Sequence, residues 1–175
     1  MNLRSVPISL DNLKIIQDLW KTNFPKEASQ DYTFMDGKDI FECSVLGIGD
    51  VNVKYYLVYD EDTLIGQWGL YTTKIEQKES AWLGWFSVLP EHRRKGYGTK
   101  ILELFEAEAR RLGFKYIRLY TGRDNLTAQA CYQNYGFQLE EFNGETDMES
   151  EPLTIGSKSI CDEDVPMWDD RYMEL

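Results

Sequence analysis

Between Val88 and Thr99 the chain reads Val-Leu-Pro-Glu-His-Arg-Arg-Lys-Gly-Tyr-Gly-Thr, and here residue types and spacing first point to chemistry. Arg93, Arg94 and Lys95 stand directly ahead of Gly96 and Gly98, in a chain whose net charge is −11. Cations at the start of a helix oppose its dipole, so they make sense there when an anion is to be bound. The glycines strip side chains from the backbone and permit unusual φ, so consecutive N–H groups can wrap an anion. Together with the orphan N–H groups of a following helix, the segment reads as a pyrophosphate site. Spacing excludes two other phosphate loops. No G-x-x-x-x-G-K-[ST] occurs, and Ile101 stands where G-x-G-x-x-G needs its third glycine.

Such a site needs a strand before it and a helix behind it. Ala81 to Val88, carrying Trp82, Trp85 and Phe86, reads as a strand stopped by Pro90. From about Gly98 to Leu112 an apolar stripe of Ile101, Leu102, Phe105, Ala109 and Leu112 predicts an amphipathic helix, ended by Gly113. A strand over Tyr116 to Thr121, a helix over Leu126 to Tyr135 closed by Gly136, and strands over Phe137 to Phe142 and Leu153 to Ser159 follow. Upstream, Ser9 to Phe24 has helical spacing, and residues 26–50 read as a short helix plus a loop. Tyr55 to Tyr59 and Leu64 to Ile75 form a hairpin around Asp60 to Asp62, and Glu76 to Ser80 is a polar turn. The predicted order is helix, hairpin, strand, helix, strand, helix, strand, strand. The hairpin demands antiparallel pairing and the 81–121 crossover a parallel pair, which gives a mixed α/β sheet flanked by helices.

Val88-Leu-Pro-Glu-His-Arg93-Arg-Lys-Gly96-Tyr-Gly98 resembles the acyl-CoA-binding motif of the GNAT superfamily, Arg/Gln-x-x-Gly-x-Gly/Ala. Asn125-Leu-Thr-Ala128-Gln-Ala-Cys-Tyr132-Gln-Asn-Tyr-Gly136-Phe137 resembles its second motif, Asn-x-x-Ala-x-x-x-Tyr-x-x-x-Gly-Phe. The well-matched stretch runs from about 81 to 140, and the two motifs come in the family's order. The resemblance implies one acyl-CoA N-acyltransferase domain over 1–175, with the acidic tail 160–175 its least defined part and Trp168 a tether for it. It also implies a mostly antiparallel sheet of about six or seven strands, whose one parallel pair splays to form the acyl-CoA cleft.

The activity implied is transfer of the acetyl group of acetyl-CoA to a primary amine, by direct transfer in a ternary complex. The resemblance makes Arg93, Arg94, Lys95, Gly96, Tyr97, Gly98 and Thr99 the pyrophosphate cradle, with the N–H groups of Arg94 to Thr99 as donors. The pantetheine arm is expected beside Phe86-Ser87-Val88, where an N–H near Phe86 or Ser87 polarises the thioester, and Asn125 contacts the arm or holds the cleft open. Tyr132 is the candidate acid for the CoA thiolate, since a phenol can donate a proton while uncharged. Neighbouring Tyr120 and Tyr135 leave a plain core role open for it. Some relatives carry a glutamate where Trp82 stands. Glu79, Glu76 and Glu42 read as surface carboxylates, so no base is named. Cys131 reads as structural, because no base is paired with it. A non-catalytic acyl-CoA-binding or regulatory module is the alternative.

Composition narrows the rest. Hydrophobic residues are 42% and aromatic residues 14% of the 175, as in a folded protein. No apolar run nears the roughly 20 residues of a membrane span, and residues 1–7 lack signal-peptide character, so a cytoplasmic protein is expected. Three widely spaced cysteines and one histidine support neither a disulfide framework nor a metal site. The excess of 30 acidic over 19 basic residues disfavours nucleic acid and anionic membranes and suits a cationic acceptor, a small-molecule amine before a protein one. Trp68, Tyr71, Trp82 and Trp85 either fill the sheet faces, the preferred reading, or line an acceptor pocket. No coiled-coil pattern or hydrophobic extension is present, and both a monomer and a homodimer fit the sequence.

Overall fold

The β-rich runs all become strands, and one further strand precedes them. The computed structural model of the chain describes residues 1–25, 53–73, 75–76, 78–142 and 152–168. Its strands are β1 (Leu3–Pro7), β2 (Val53–Asp60), β3 (Thr63–Tyr71), β4 (Ser80–Val88), β5 (Tyr116–Gly122), β6 (Gln138–Phe142) and β7 (Leu153–Ser159). The helices among the described residues are α1 (Leu13–Asn23), α2 (Tyr97–Arg111) and α3 (Leu126–Tyr135), with a 3-10 turn over Pro90–His92. The strands form one sheet in the order β1-β2-β3-β4-β5-β7-β6. Every neighbouring pair is antiparallel except β4 with β5.

Two layers of side chains hold the sheet. On one face Trp20 of α1 packs with Tyr55, Leu57, Tyr71, Trp82 and Trp168. On the other, Ile101, Leu102, Phe105 and Ala109 of α2 pack with Ile65, Trp68, Leu83, Ile117 and Leu119. Burying such side chains is worth about 1.5–3 kcal/mol each. Trp68 and Trp82 are therefore core residues on opposite faces, and the expected tether exists, since Trp168 is fully buried against Trp82.

Four expectations are corrected. The first helix begins at Leu13 rather than Ser9, because the Asn12 side chain accepts from the Ser9 N–H (2.7 Å) and closes a turn ahead of the helix. The chain opens with β1, a five-residue edge strand whose mixed composition and final proline hide it, since an edge tolerates proline. β3 ends at Tyr71, four residues earlier than Ile75, and Glu76 is buried rather than a surface carboxylate. The expected helix and loop over 26–50, with Glu42 and Cys43, lie outside the described residues. No helix among the described residues is long and apolar enough to cross a membrane.

Candidate active site

The site is built where β4 changes both of its neighbours. Towards β3, Gln67 pairs with Ser87 and Gly69 with Gly84, so Trp85 and Phe86 together oppose Trp68 alone. This bulge puts Trp85 at φ +46°, and it sends Trp85 to the α1 face and Phe86 to the α2 face. Towards β5, the parallel pairing stops at Trp82 with Arg118, so residues beyond 82 part from β5. The splayed pair expected of the cleft is present.

Backbone polarity in the gap follows from register. Leu89 donates to Ile65 (2.9 Å), and Val88, in register with Gly66, falls between that bond and the Ser87–Gln67 pair. Alternation then turns the Val88 N–H and C=O away from β3, to the side β5 has left. The Val88 carbonyl accepts from Arg93 Nε (2.9 Å). Ser87 is buried, and its Oγ has no hydrogen bond among the described residues.

The cradle lies between the 3-10 turn and α2. Arg94 at φ +58° and Gly96 at φ +84° are both left-handed, which bends the backbone into a concave nest. The first backbone bond of α2 runs from Lys100 N–H to Gly96 C=O (3.3 Å). The N–H groups of residues 94–99 donate to no backbone carbonyl among the described residues, and they sit at the positive end of α2. Gly98 does not use the positive φ expected of it; it lies inside α2, and a Cβ there would sit 3.7 Å from Cys131 Sγ and from Phe86 Cζ. What its missing side chain leaves is room between α2, α3 and β4.

Two side chains of the segment anchor it instead of facing a ligand. Arg93 bridges Val88 O and Asn23 Oδ1 (2.8 Å), which ties the turn to β4 and α1. Tyr97 donates to Asp60 Oδ2 (2.8 Å), which ties it to the end of β2. The Asn2 N–H and the Tyr97 hydroxyl hold the Asp60 carboxyl below its usual range. Arg94 and Lys95 are exposed at the rim.

Tyr132 stands on α3, 6% exposed, with its ring 6.2 Å from Phe86 and 6.0 Å from Phe137. Burial pushes its phenol well above the ordinary tyrosine value, so the hydroxyl stays protonated. Beside it, burial also pushes the half-buried Cys131 thiol up, the opposite of an activated nucleophile. Asn125 caps α3, its Oδ1 accepting from Ala128 N–H (3.3 Å). Among the candidate bases, Glu76 grips Arg118 with both oxygens (2.7 and 2.9 Å), and Glu79 is exposed at the far end of β4 from the bulge. Two residues escaped the sequence reading. Arg118 is buried where β4 and β5 part, and Gln67 donates to the Trp85 carbonyl (3.1 Å). An arginine or glutamine within an otherwise apolar strand was the available signal for both.

A seven-stranded mixed sheet that parts beside a helix start rich in N–H groups is the architecture the resemblance implies, and comparison with known proteins agrees with that fold. The Acetyltransferase (GNAT) family matches residues 13–137, and the chain belongs to that family. It is 34% identical over 104 residues to a probable N-acetyltransferase 14 of Xenopus tropicalis, covering 59% of this chain and 48% of the relative. It is 37% identical over 86 residues to an uncharacterized acetyltransferase of Streptococcus pyogenes, covering 48% and 55%. The chain thus spans about half the length of these curated relatives. Among solved structures, a Salmonella typhimurium acetyltransferase that modifies the N-terminal serine of a 50S ribosomal subunit protein matches with TM-score 0.72, 15% identity and coverage of 92% and 96%. A Vibrio cholerae spermidine N-acetyltransferase in complex with CoA and spermine matches with TM-score 0.69, 18% identity and coverage of 90% and 95%. At such identities the two structures show a shared fold.

Proposed function

We propose that this acyltransferase moves the acetyl group of acetyl-CoA directly to a primary amine, a cationic small molecule in preference to a protein. The observation that carries the reading is the juxtaposition of N–H groups over 94–99 that donate to no backbone carbonyl among the described residues with a β4–β5 gap that opens at Trp82. The cradle suits a pyrophosphate in charge and curvature, and the gap leads from it along Phe86, Ser87 and Val88 towards Tyr132.

The residues divide the reaction as follows. Backbone N–H groups of Arg94 to Thr99 bind the pyrophosphate, with Arg94 and Lys95 adding charge at the rim. The Val88 N–H and C=O, turned off β3, pair with the pantetheine amides as an added strand would. The free amine attacks the thioester carbon, a C–N bond forms, and the carbonyl electron pair moves onto oxygen. Since the Ser87 N–H faces Gln67 of β3, the Phe86 N–H stabilises that oxyanion, a role typically worth about 3–4 kcal/mol. As the pair returns, the C–S bond breaks and the Tyr132 hydroxyl gives its proton to the departing sulfur. The nitrogen releases its surplus proton to water, and Tyr132 is reprotonated from solvent. Asn125 supports the site by fixing the start of α3.

The amine preference rests on charge. With 30 acidic and 19 basic residues the chain attracts cations at long range. The spermidine acetyltransferase of the same fold makes a polyamine a natural first acceptor to try. Calorimetric titration with CoA tests the placement. Saturable binding that is lost when Gly98 becomes leucine supports it, and absence of binding overturns it.

A further inference from the structure

We propose that Gln67 is a positioning residue for acyl transfer. Its side-chain amide fixes the peptide between Trp85 and Phe86 so that the Phe86 N–H points into the β4–β5 gap and meets the thioester oxygen. This deepens the reading above and rests on it.

The first support is geometric. Gln67 is 1% exposed, and its Nε2 donates to the Trp85 carbonyl at 3.1 Å. Chemistry fixes that orientation, because a reversed amide would set Oε1 against another carbonyl oxygen. The Trp85 carbonyl and the Phe86 N–H belong to one planar trans peptide, and they point in opposite directions. Holding the carbonyl towards β3 turns the Phe86 N–H away from it.

The second support is the bulge itself. Trp85 has φ +46°, a conformation a bulky L-residue adopts only when its surroundings impose it. Two residues of β4 face one of β3 here, so the regular ladder is broken at the place where the N–H must be aimed. Gln67 supplies a bond to the bulge from the strand opposite. A bond to the carbonyl also polarises its peptide and makes the N–H a stronger donor.

The third support is a cost. Gln67 Oε1 is buried and has no hydrogen bond among the described residues. A methionine or leucine of similar volume would avoid that penalty. The amide offers one thing such residues lack, the Nε2 bond to Trp85.

The test is infrared difference spectroscopy of acetyl-CoA labelled with carbon-13 at the acetyl carbonyl, alongside steady-state kinetics. In the unaltered protein the carbonyl stretch moves to lower frequency on binding. In Gln67→Met at least half of that shift disappears and kcat falls about tenfold, while CoA affinity stays within about twofold because the cradle is untouched. A Gln67→Met protein with the full shift and full kcat overturns the role of Gln67 alone. An unaltered protein that binds acetyl-CoA with no shift overturns the oxyanion reading, and this inference with it. The band reports only folded, ligand-bound molecules, so a destabilised variant still answers, and Gln67→Leu repeats the measurement with a differently shaped side chain.

Discussion

The ring of Tyr132 lies 6.2 Å from the ring of Phe86, so the candidate proton donor on α3 packs against the residue that follows the β4 bulge. In the proposed mechanism one element carries the acid and the other the oxyanion N–H, and the two rings face each other across the gap in which a thioester would lie. Its near-complete burial keeps the tyrosine hydroxyl protonated, the state the proposed role requires.

Tyr132→Phe removes one oxygen and keeps the contacts with Phe86 and Phe137. The account expects kcat to fall by about 10²-fold, at the lower end for general acid catalysis, with CoA affinity within about twofold. Steady-state kinetics with a CoA titration reads both, and an undiminished kcat removes Tyr132 from the mechanism.

Gly98 separates stability from binding. Gly98→Ala places its Cβ at ordinary contact distance, 3.7 Å from Cys131 Sγ and Phe86 Cζ, and leaves CoA binding near normal. Gly98→Leu fills the space beside Phe86 and weakens CoA binding at least tenfold, by about 1.4 kcal/mol or more. Alanine is the better helix former, so the melting temperature of Gly98→Ala stays level or rises.

The buried pair of Arg118 and Glu76 holds the point where β4 and β5 part. Arg118, 0% exposed, also donates to Ser157 Oγ and to Pro166 C=O (2.8 Å), and its guanidinium lies 5.3 Å from the Trp168 ring. Glu76→Ala leaves that cation buried without its carboxylate and is expected to cost about 3–5 kcal/mol in denaturant unfolding. Arg118→Met with Glu76→Leu together should recover much of the loss.

Glu106 joins α2 to β7 and α3 through Lys158 (2.6 Å), Arg110 (2.8 Å) and Tyr135 (3.1 Å). Burial pushes its carboxyl up, but the bonds from Lys158, Arg110 and Tyr135 outweigh burial and hold it below the ordinary value. A carboxyl lowered on folding stabilises fully above its unfolded value, about 4.3, and loses that contribution as pH falls through the folded one. Glu106→Gln should therefore cost about 1–2 kcal/mol at neutral pH, and the gap from the unaltered protein should close in acid. Thermal melts across pH read the convergence.

Much of this arrangement was legible in the residues. Except at the end of β3, the β-rich runs, the stripe from Ile101 to Ala109 and the glycines at 113 and 136 mark elements whose ends agree with the structure to within a residue or two, because local periodicity sets them. The basic run and Gly96 mark the turn that leads into α2, where Gly96 is left-handed. What stayed hidden depends on distant partners. β1 exists because β2 offers an edge, and Glu76 is buried because Arg118, 42 residues away, takes both its oxygens. The anchoring of Arg93 to Asn23 spans 70 residues, and no local pattern announces it. The left-handed turn at Arg94 was equally silent, since its side chain looks suited only to charge.

The most direct test of the central claim is CoA thiol release from acetyl-CoA with a panel of amines that includes polyamines, amino acids and a peptide N-terminus. The account predicts release that requires an amine, is fastest with a cationic small molecule, and is lost in Gly98→Leu. Binding of acetyl-CoA with no amine-dependent release on any member of the panel would contradict it.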